Sequence, residues 1–485
     1  MRMTRRALCV SGALAVSMPA IGRALAALTA DSAVPPSETD IHKLIADRVD
    51  TLAGSEDGIG IVVGVVEPRG RRIVSYGHFD QGDPRAVVGN TIFEIGSITK
   101  IFTALLLADF VQKHEVNLFD PASKYLPADL KLPERGGKSI TLLDLATHTS
   151  GLPFMPPLPD SSAIGAAKYS AKDLYGYLAN FTLPYDIGTR WEYSNIGYWL
   201  LSEVLAARGG AEYRRLLLKR IVNPLGMTDT AFVASTAMKA KFAIGHYASI
   251  QPADSFLSIP GYAIMPAAGG LLSSVDDLLT IPSIALGYRT SPLAALIANC
   301  LSPRRPTATK DMEQALGWTV LSDSAGQLVL RDGGTLGHAS AMIWDPAKRV
   351  GVVVLANHVQ SVSDLAHHML RPNDPVDQPT AVRHTEISLD PTTLTGYEGR
   401  YEAEGEGVFE LKLEGKFLTF QAPADWGLPK LRLHAQSKRD FFANELPLLI
   451  TVQSGNDGRA TALSITPPRG QHAIQAQKVI SDSNK

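Results

Sequence analysis

Ser97-Ile-Thr-Lys100 is the one Ser-x-x-Lys in the chain. Positions i and i+3 share a helix face, so a lysine stem placed there reaches the serine hydroxyl. A hydroxyl is a poor nucleophile until a base takes its proton, and a lysine serves as that base when burial lowers its pKa. Gly96 permits a tight turn into the helix. Ser97 at that N-terminus would meet N–H groups that favour developing negative charge. Taken alone, a Ser N-cap with an exposed Lys behind it accounts for most such tetrapeptides. Here, however, Ile98 to His114 is apolar nearly all round, the pattern of a helix buried within a domain.

Two further clusters have residue types that could work with that pair. Tyr193-Ser-Asn195 is the one Tyr-x-Asn in the sequence. A phenol held near two cations loses its proton more readily and can serve as general acid or base. The Asn195 amide can both donate to a substrate carbonyl and accept from Lys100. Alone, the tripeptide reads as a turn that opens a helix over Ile196–Leu205. Arg331-Asp-Gly-Gly-Thr-Leu-Gly337 joins two strand candidates, and its glycines Gly333 and Gly334 allow a substrate backbone to come close. An ordinary glycine-rich turn has the same composition.

Other chemistries find less support. There is no Gly-x-Ser-x-Gly elbow, which argues against an α/β-hydrolase. His148, in Thr-His-Thr-Ser-Gly, reads as a packed turn residue rather than a triad member. His367-His368 has no His-Glu-x-x-His pattern or nearby carboxylate pair, so neither a metal nor a cofactor is expected.

The elements that must position these residues can be read from periodicity. Residues 39–53 have helical apolar spacing. Ile59–Val66 and Arg72–Phe79 are β-rich runs split by Pro68-Arg69-Gly70, a hairpin signal. A helix-rich stretch runs from Leu142 to about Leu225. Strands return at Gly317–Leu321, Gln327–Arg331, Ser340–Trp344 and Val350–Ala356, and helical spacing resumes over Val362–Leu370. One antiparallel sheet thus collects strands from both ends of residues 39–370, flanked by helices and with a helical region inserted: an α+β pattern. Arg371 to Thr380 is polar and proline-rich, like a linker. Beyond it, Phe409–Leu413, Phe417–Gln421, Leu448–Val452 and Ala462–Thr466 are short strands between turns, which predicts a small all-β sandwich or barrel. The expected division is 27–372, a linker over 373–390, and 391–485.

The composition is that of a globular protein with a sizeable core: 485 residues, 45% hydrophobic and 19% charged, with a net charge of −2. No basic surface for nucleic acid is implied. A basic Met1–Arg6, an apolar Ala7–Ile21 and the small residues of Ala24-Leu-Ala26 read as an export signal over residues 1–26, with Arg5-Arg6 admitting the twin-arginine route. No later segment is long and apolar enough to span a bilayer. Cys9 lies in that signal and Cys300 stands alone, so no intrachain disulfide survives cleavage, and Cys300 reads as a small buried hydrophobe.

In order and approximate spacing, the three clusters resemble the three signatures of the serine β-lactamases and penicillin-binding proteins. The nearest likeness is to the class C β-lactamase group with its DD-peptidases and esterases. The flanks Phe93-Glu-Ile-Gly, Leu145-Ala-Thr-His-Thr-Ser-Gly-Leu-Pro153, Pro224-Leu-Gly-Met227 and Ala268-Gly-Gly-Leu-Leu-Ser-Ser274 share it. The likeness covers about residues 39–370, and the tail resembles the lipocalin-like β-domain that often succeeds this module. It implies that Ser97 becomes acylated, that Lys100 and Tyr193 pass protons, and that Asn195, Arg331, Gly333 and Gly334 bind substrate. The oxyanion hole would come from the N–H groups of Ser97 and Gly334. The implied substrate is a β-lactam, a D-alanyl peptide derived from peptidoglycan, or another small molecule. A carboxylesterase and a penicillin-recognising protein without turnover are the alternatives. One departure stands out. Arg331-Asp332-Gly333 fills a signature that usually begins with Lys or His and then a hydroxyl residue. Arginine keeps the charge and could clamp a carboxylate, but it cannot shuttle protons. Asp332 would repel a substrate carboxylate unless it points to the other strand face.

Overall fold

The computed structural model describes residues 35–53, 58–156, 170–247, 250–255, 263–377, 384–423, 430–444, 448–455, 457–466 and 473–479. The expected export signal and residues 378–383 of the expected linker lie outside this set.

The strands of the first part are β1 (Gly60–Glu67), β2 (Gly70–Asp80), β3 (Asp83–Ala86), β4 (Phe93–Glu94), β5 (Glu134–Arg135), β6 (Lys138–Ser139), β7 (Leu272–Ser273), β8 (Arg305–Pro306), β9 (Met312–Gln314), β10 (Thr319–Asp323), β11 (Gly326–Gly334), β12 (Ala339–Asp345) and β13 (Val350–Ala356). Nine of them form one sheet in the order β3-β2-β1-β13-β12-β11-β10-β9-β8. The first and last strands of this part meet within it, where β1 runs antiparallel to β13 with Ile61 opposite Ala356 and Val65 opposite Val352. This is the sheet that the β-rich runs predicted.

Strand alternation gives the sheet two buried faces. Ile61, Val63 and Val65 pack with Ile41 and Ile45 of helix α1 (Glu38–Ala53) and with Leu365 and Met369 of the helix Ser363–Leu370. Val62 and Val66 face the other way, into the larger core around helix α2 (Thr99–Gln112). Every residue of α2 from Thr99 to Phe110 is buried, as its all-round apolar sequence requires.

The chain ends in a closed eight-stranded barrel that begins at Gly399–Ala403 and finishes at Ile474–Lys478. Closure leaves no unpaired strand edge. Its core, with Tyr401, Phe409, Phe420, Ile450 and Ile465, shares no residue with the two cores before it. The four strands expected from sequence are present. Leu431–Ala435 and Asp440–Phe442 are strands that the sequence does not announce, because a strand with a wet outer face offers only two or three apolar residues to a short window. Among the described residues no helix is long and apolar enough to cross a membrane.

Candidate active site

Ser97 lies in a single 3-10 turn, Gly96–Ile98, that leads into α2. Gly96 has φ +48°, and a Cβ there would sit 2.6 Å from the carbonyl oxygen and 2.7 Å from the nitrogen of Gly334. Gly333 is equally constrained, since its Cβ would lie 2.8 Å from the Ser97 nitrogen. The glycines of the first and third clusters therefore let two stretches of backbone touch, bringing the Ser97 and Gly334 amides to one seam.

Lys100, the second residue of α2, is fully buried. Its Nζ lies 3.1 Å from Ser97 Oγ, 2.8 Å from Asn195 Oδ1 and 2.6 Å from the Ala268 carbonyl. Burial, and after it the charge of Arg331, holds its pKa well below the ordinary lysine value, against an opposing pull from Asp332. A neutral amine keeps two N–H donors and one lone pair. Asn195 Oδ1 and Ala268 O can only accept, so they take the two donors, and the lone pair is left facing Ser97 Oγ. That is the arrangement a general base needs.

Asn195 opens the helix Asn195–Gly209, capped by Ser194, whose Oγ accepts from the Gly197 N–H. The segment 153–155 pins this corner. Ser194 Oγ donates to Pro153 O at 2.8 Å, the Asn195 N–H donates to Phe154 O at 3.0 Å, and Asn195 Nδ2 reaches Met155 Sδ at 3.5 Å. The Asn195 carbonyl oxygen is thereby turned to Lys100.

Tyr193 Oη donates to Ser97 Oγ at 2.7 Å and accepts from Arg331 Nη2 at 2.7 Å. Burial raises its pKa overall, although Arg331 and Ser97 pull it down, so the phenol keeps its proton at rest. The His148 ring lies tilted against the Tyr193 ring, with centroids 4.4 Å apart. It has a left-handed φ of 59°, unusual for a non-glycine residue, and its Nδ1 accepts the Ser194 N–H at 3.2 Å. Burial, with the charges of Arg331 and Lys100, pushes its pKa well below the ordinary histidine value. It is the packed turn residue that the sequence indicated.

Arg331 differs from its expected use. It is 4% exposed, and Nε donates to the Ser97 carbonyl at 3.3 Å while Nη2 holds Tyr193. A guanidinium so buried and engaged offers a fixed charge rather than an open two-point clamp. Asp332 is exposed and lies on the opposite strand face, the one shared by Leu328 and Leu330 of the second core. Its carboxylate is thus directed away from the Ser97 side.

Ser97, Lys100, Tyr193, Asn195, Arg331, Gly333 and Gly334 therefore all converge, from residues as far apart in sequence as 97 and 334. The sequence pattern of the Beta-lactamase family matches residues 43–371, more than half of the chain. The chain belongs to the β-lactamase family. It is 27% identical, over 338 residues, to the D-alanyl-D-alanine-carboxypeptidase/endopeptidase AmpH of Escherichia coli K12, spanning 67% of this chain and 86% of that one. It is 25% identical to penicillin-binding protein 4* of Bacillus subtilis over 431 residues, 83% of this chain and 92% of the relative. Among solved structures, an octameric penicillin-binding protein homologue from Pyrococcus abyssi covers 90% of this chain and 99% of its own, with a TM-score of 0.60 and 21% identity. A class C β-lactamase from Rhodobacter sphaeroides aligns with a TM-score of 0.57 and 24% identity, over 69% of this chain and 97% of its own.

Membership in the β-lactamase family supports a hydrolase. Sequence reasoning missed two contributors to the site. One is the Ala268 carbonyl, which gives Lys100 its second acceptor. Its segment is family-like in sequence, but a backbone oxygen leaves no mark of side-chain type. The other is the hold of residues 153–155 on Asn195, which depends on main-chain atoms in the same way.

Proposed function

We propose that the chain is an exported serine hydrolase that works through an acyl-enzyme on Ser97 and cleaves β-lactam or D-alanyl peptide amide bonds. The observation that carries this reading is the forced lone pair of Lys100: two of its three neighbours can only accept hydrogen bonds, and the third is the Ser97 hydroxyl. Lys100 takes the hydroxyl proton as Ser97 Oγ attacks the carbonyl carbon. The oxyanion forms against the N–H groups of Ser97 and Gly334, where each donor contributes about 10²–10³ in rate. The C–N bond then breaks. Tyr193 hands a proton to the leaving nitrogen and recovers one from the set that includes Lys100, while Arg331 steadies the charge on the phenol oxygen. Water releases the acyl group by the same route in reverse. Asn195 orients Lys100 and the substrate carbonyl.

The named relatives include a D-alanyl-D-alanine-carboxypeptidase and several β-lactamases, which supports the amide reading. One observation favours a second reading, a carboxylesterase: the Arg331 guanidinium is turned to Tyr193 and Ser97 rather than held open for a substrate carboxylate. We assign residues 27–372 to the catalytic domain, 373–390 to a linker and 391–485 to the barrel, with residues 1–26 as the export signal.

The test is to treat the mature protein and its Ser97→Ala variant with a fluorescent penicillin and with a short-chain nitrophenyl ester. Labelling and turnover of the penicillin, both lost in Ser97→Ala, are expected. Ester turnover without penicillin labelling would select the esterase. Full activity in Ser97→Ala would overturn the site.

A further inference from the structure

At the seam between the Ser97 turn and β11, the two backbones touch at their glycines. A Cβ on Gly333 would fall 2.4 Å from Ile95 O, and one on Gly96 2.6 Å from Gly334 O. Smooth backbone surfaces carry no interlocking side chains, so groups at the margins must fix their spacing. Two are on the Ser97 side: Arg331 Nε on Ser97 O at 3.3 Å, and Ser340 Oγ donating to Ile95 O at 2.9 Å. The third lies beyond Gly334.

We infer that Glu94 and His338 are positioning residues for the oxyanion hole, forming a buried contact that holds the Ser97 turn at a fixed distance from the Gly334 turn. This rests on the proposed role of Ser97. Glu94 is 4% exposed and precedes Ser97 by three residues; His338 is 2% exposed and comes four residues after Gly334. His338 Nδ1 lies 3.6 Å from Glu94 Oε2. Its other nitrogen, Nε2, faces the Ala243 carbonyl at 3.1 Å, and because a carbonyl only accepts, Nε2 carries a proton. The ring is locked on its own side as well. Thr335 Oγ1 accepts the His338 N–H at 3.1 Å, and the Thr335 N–H donates to His338 O at 2.9 Å, closing a turn right after Gly334. Gly245 makes room for the imidazole, since a Cβ there would lie 2.7 Å from His338 Cε1.

The carboxylate is built to stay charged. Burial alone would raise the Glu94 pKa, but the neighbouring His338, Ser255 and Thr335 side chains outweigh it and hold the group below its usual range. Ser255 Oγ donates to Glu94 Oε1 at 2.5 Å. The hydrogen bonds of the Lys100 and Tyr193 side chains end on Ser97, Asn195, Ala268 and Arg331, away from this pair. The pair therefore acts on the geometry of the hole and not on proton transfer.

The test uses the full-length protein, a short-chain nitrophenyl ester, and a fluorophosphonate to count reactive Ser97 sites. Glu94→Gln and His338→Gln should each lower kcat per reactive site by about 10–100-fold, with KM held within about threefold. A boronic acid, whose tetrahedral adduct places an oxygen in the same hole, should lose affinity by a matching factor. The double variant should be little worse than the poorer single one, because both remove the same strut. Ser255→Ala, which removes the hydrogen bond that fixes the Glu94 carboxylate, should cost about 2–5-fold and decides the matter if the other variants do not fold. An unchanged kcat per site in the variants that fold, or a kcat loss with no loss of boronic acid affinity, would overturn the inference. A failure of the Ser97 reading looks different: Ser97→Ala would then keep its turnover or still take the fluorophosphonate.

Discussion

The surroundings of Ser97 and the interior of the C-terminal barrel both bury large side chains, yet they are built from opposite materials. Around Ser97, Lys100, Asn195, His148 and Arg331 are all at most 5% exposed, and each has its charge or hydrogen-bonding group inside. In the barrel core, Tyr401, Phe409, Phe420, Ile450 and Ile465 are fully buried, and the one hydroxyl among them, Tyr401 Oη, donates to Tyr397 O. Buried cations oppose folding unless they are paired, whereas buried rings favour it. The first region therefore gives up stability to shift pKa values, and the second supplies stability without shifting any that chemistry needs. Substitutions in the two regions should separate activity from stability.

The largest effect is expected at Lys100. Lys100→Met keeps the buried stem and removes the amine, so kcat for ester or penicillin should fall about 10²–10⁴-fold while the thermal midpoint changes little. Stopped-flow acylation and a melting curve on the same sample check both halves. A variant that melted far earlier at normal kcat would break the comparison from the catalytic side. In the barrel the pattern should invert. Phe420→Ala removes a ring that stacks on Phe409 at 5.7 Å. It should cost about 3–5 kcal/mol of stability with kcat per reactive site unchanged, read by denaturant unfolding and active-site titration. A loss of kcat there would mean that the barrel supports the site directly.

The same contrast explains what can be read from the sequence. β1 and β13 are runs of Val, Ile and Leu buried on both faces, and α2 is apolar all round, so their sequences leave few choices. The barrel strand Leu431–Ala435 is less legible, with Leu431 and Leu433 inside and Arg432 outside, because so short an alternation is a weak signal. In the site, Ser97, Lys100, Tyr193 and Asn195 are legible because their side chains do the work. The destination of Arg331 is not, because one strand residue earlier or later reverses the face. Where Asp332 points is equally open in the sequence, and only the shared face of Leu328 and Leu330 resolves it. Glu94 is one letter among the family-like flanks of Ser97, and neither it nor His338 carries a signal of its own. The two positions do not pair until β4 and the turn after β11 are folded together.

Arg331 gives the smallest effect and the sharpest reading of the catalytic side. Its positive charge helps lower the pKa of Lys100 and also pulls down that of Tyr193. Arg331→Gln should therefore let both values rise. A base works in its unprotonated form, so a higher Lys100 pKa leaves less free amine at any given pH, and the acid limb of kcat/KM must move to higher pH. Below that limb, activity should drop by about 10–100-fold; well above it, the loss should be smaller, because Lys100 is neutral there in both proteins. Arg331→Lys keeps the charge near Tyr193 and should leave the limb close to its original place. Comparing a neutral ester with a carboxylate-bearing penicillin adds one more distinction. If Arg331 acts through Lys100 and Tyr193, the two substrates lose rate in equal proportion. A loss confined to the carboxylate-bearing one would instead show the guanidinium meeting substrate directly, and the limb would then stay where it was.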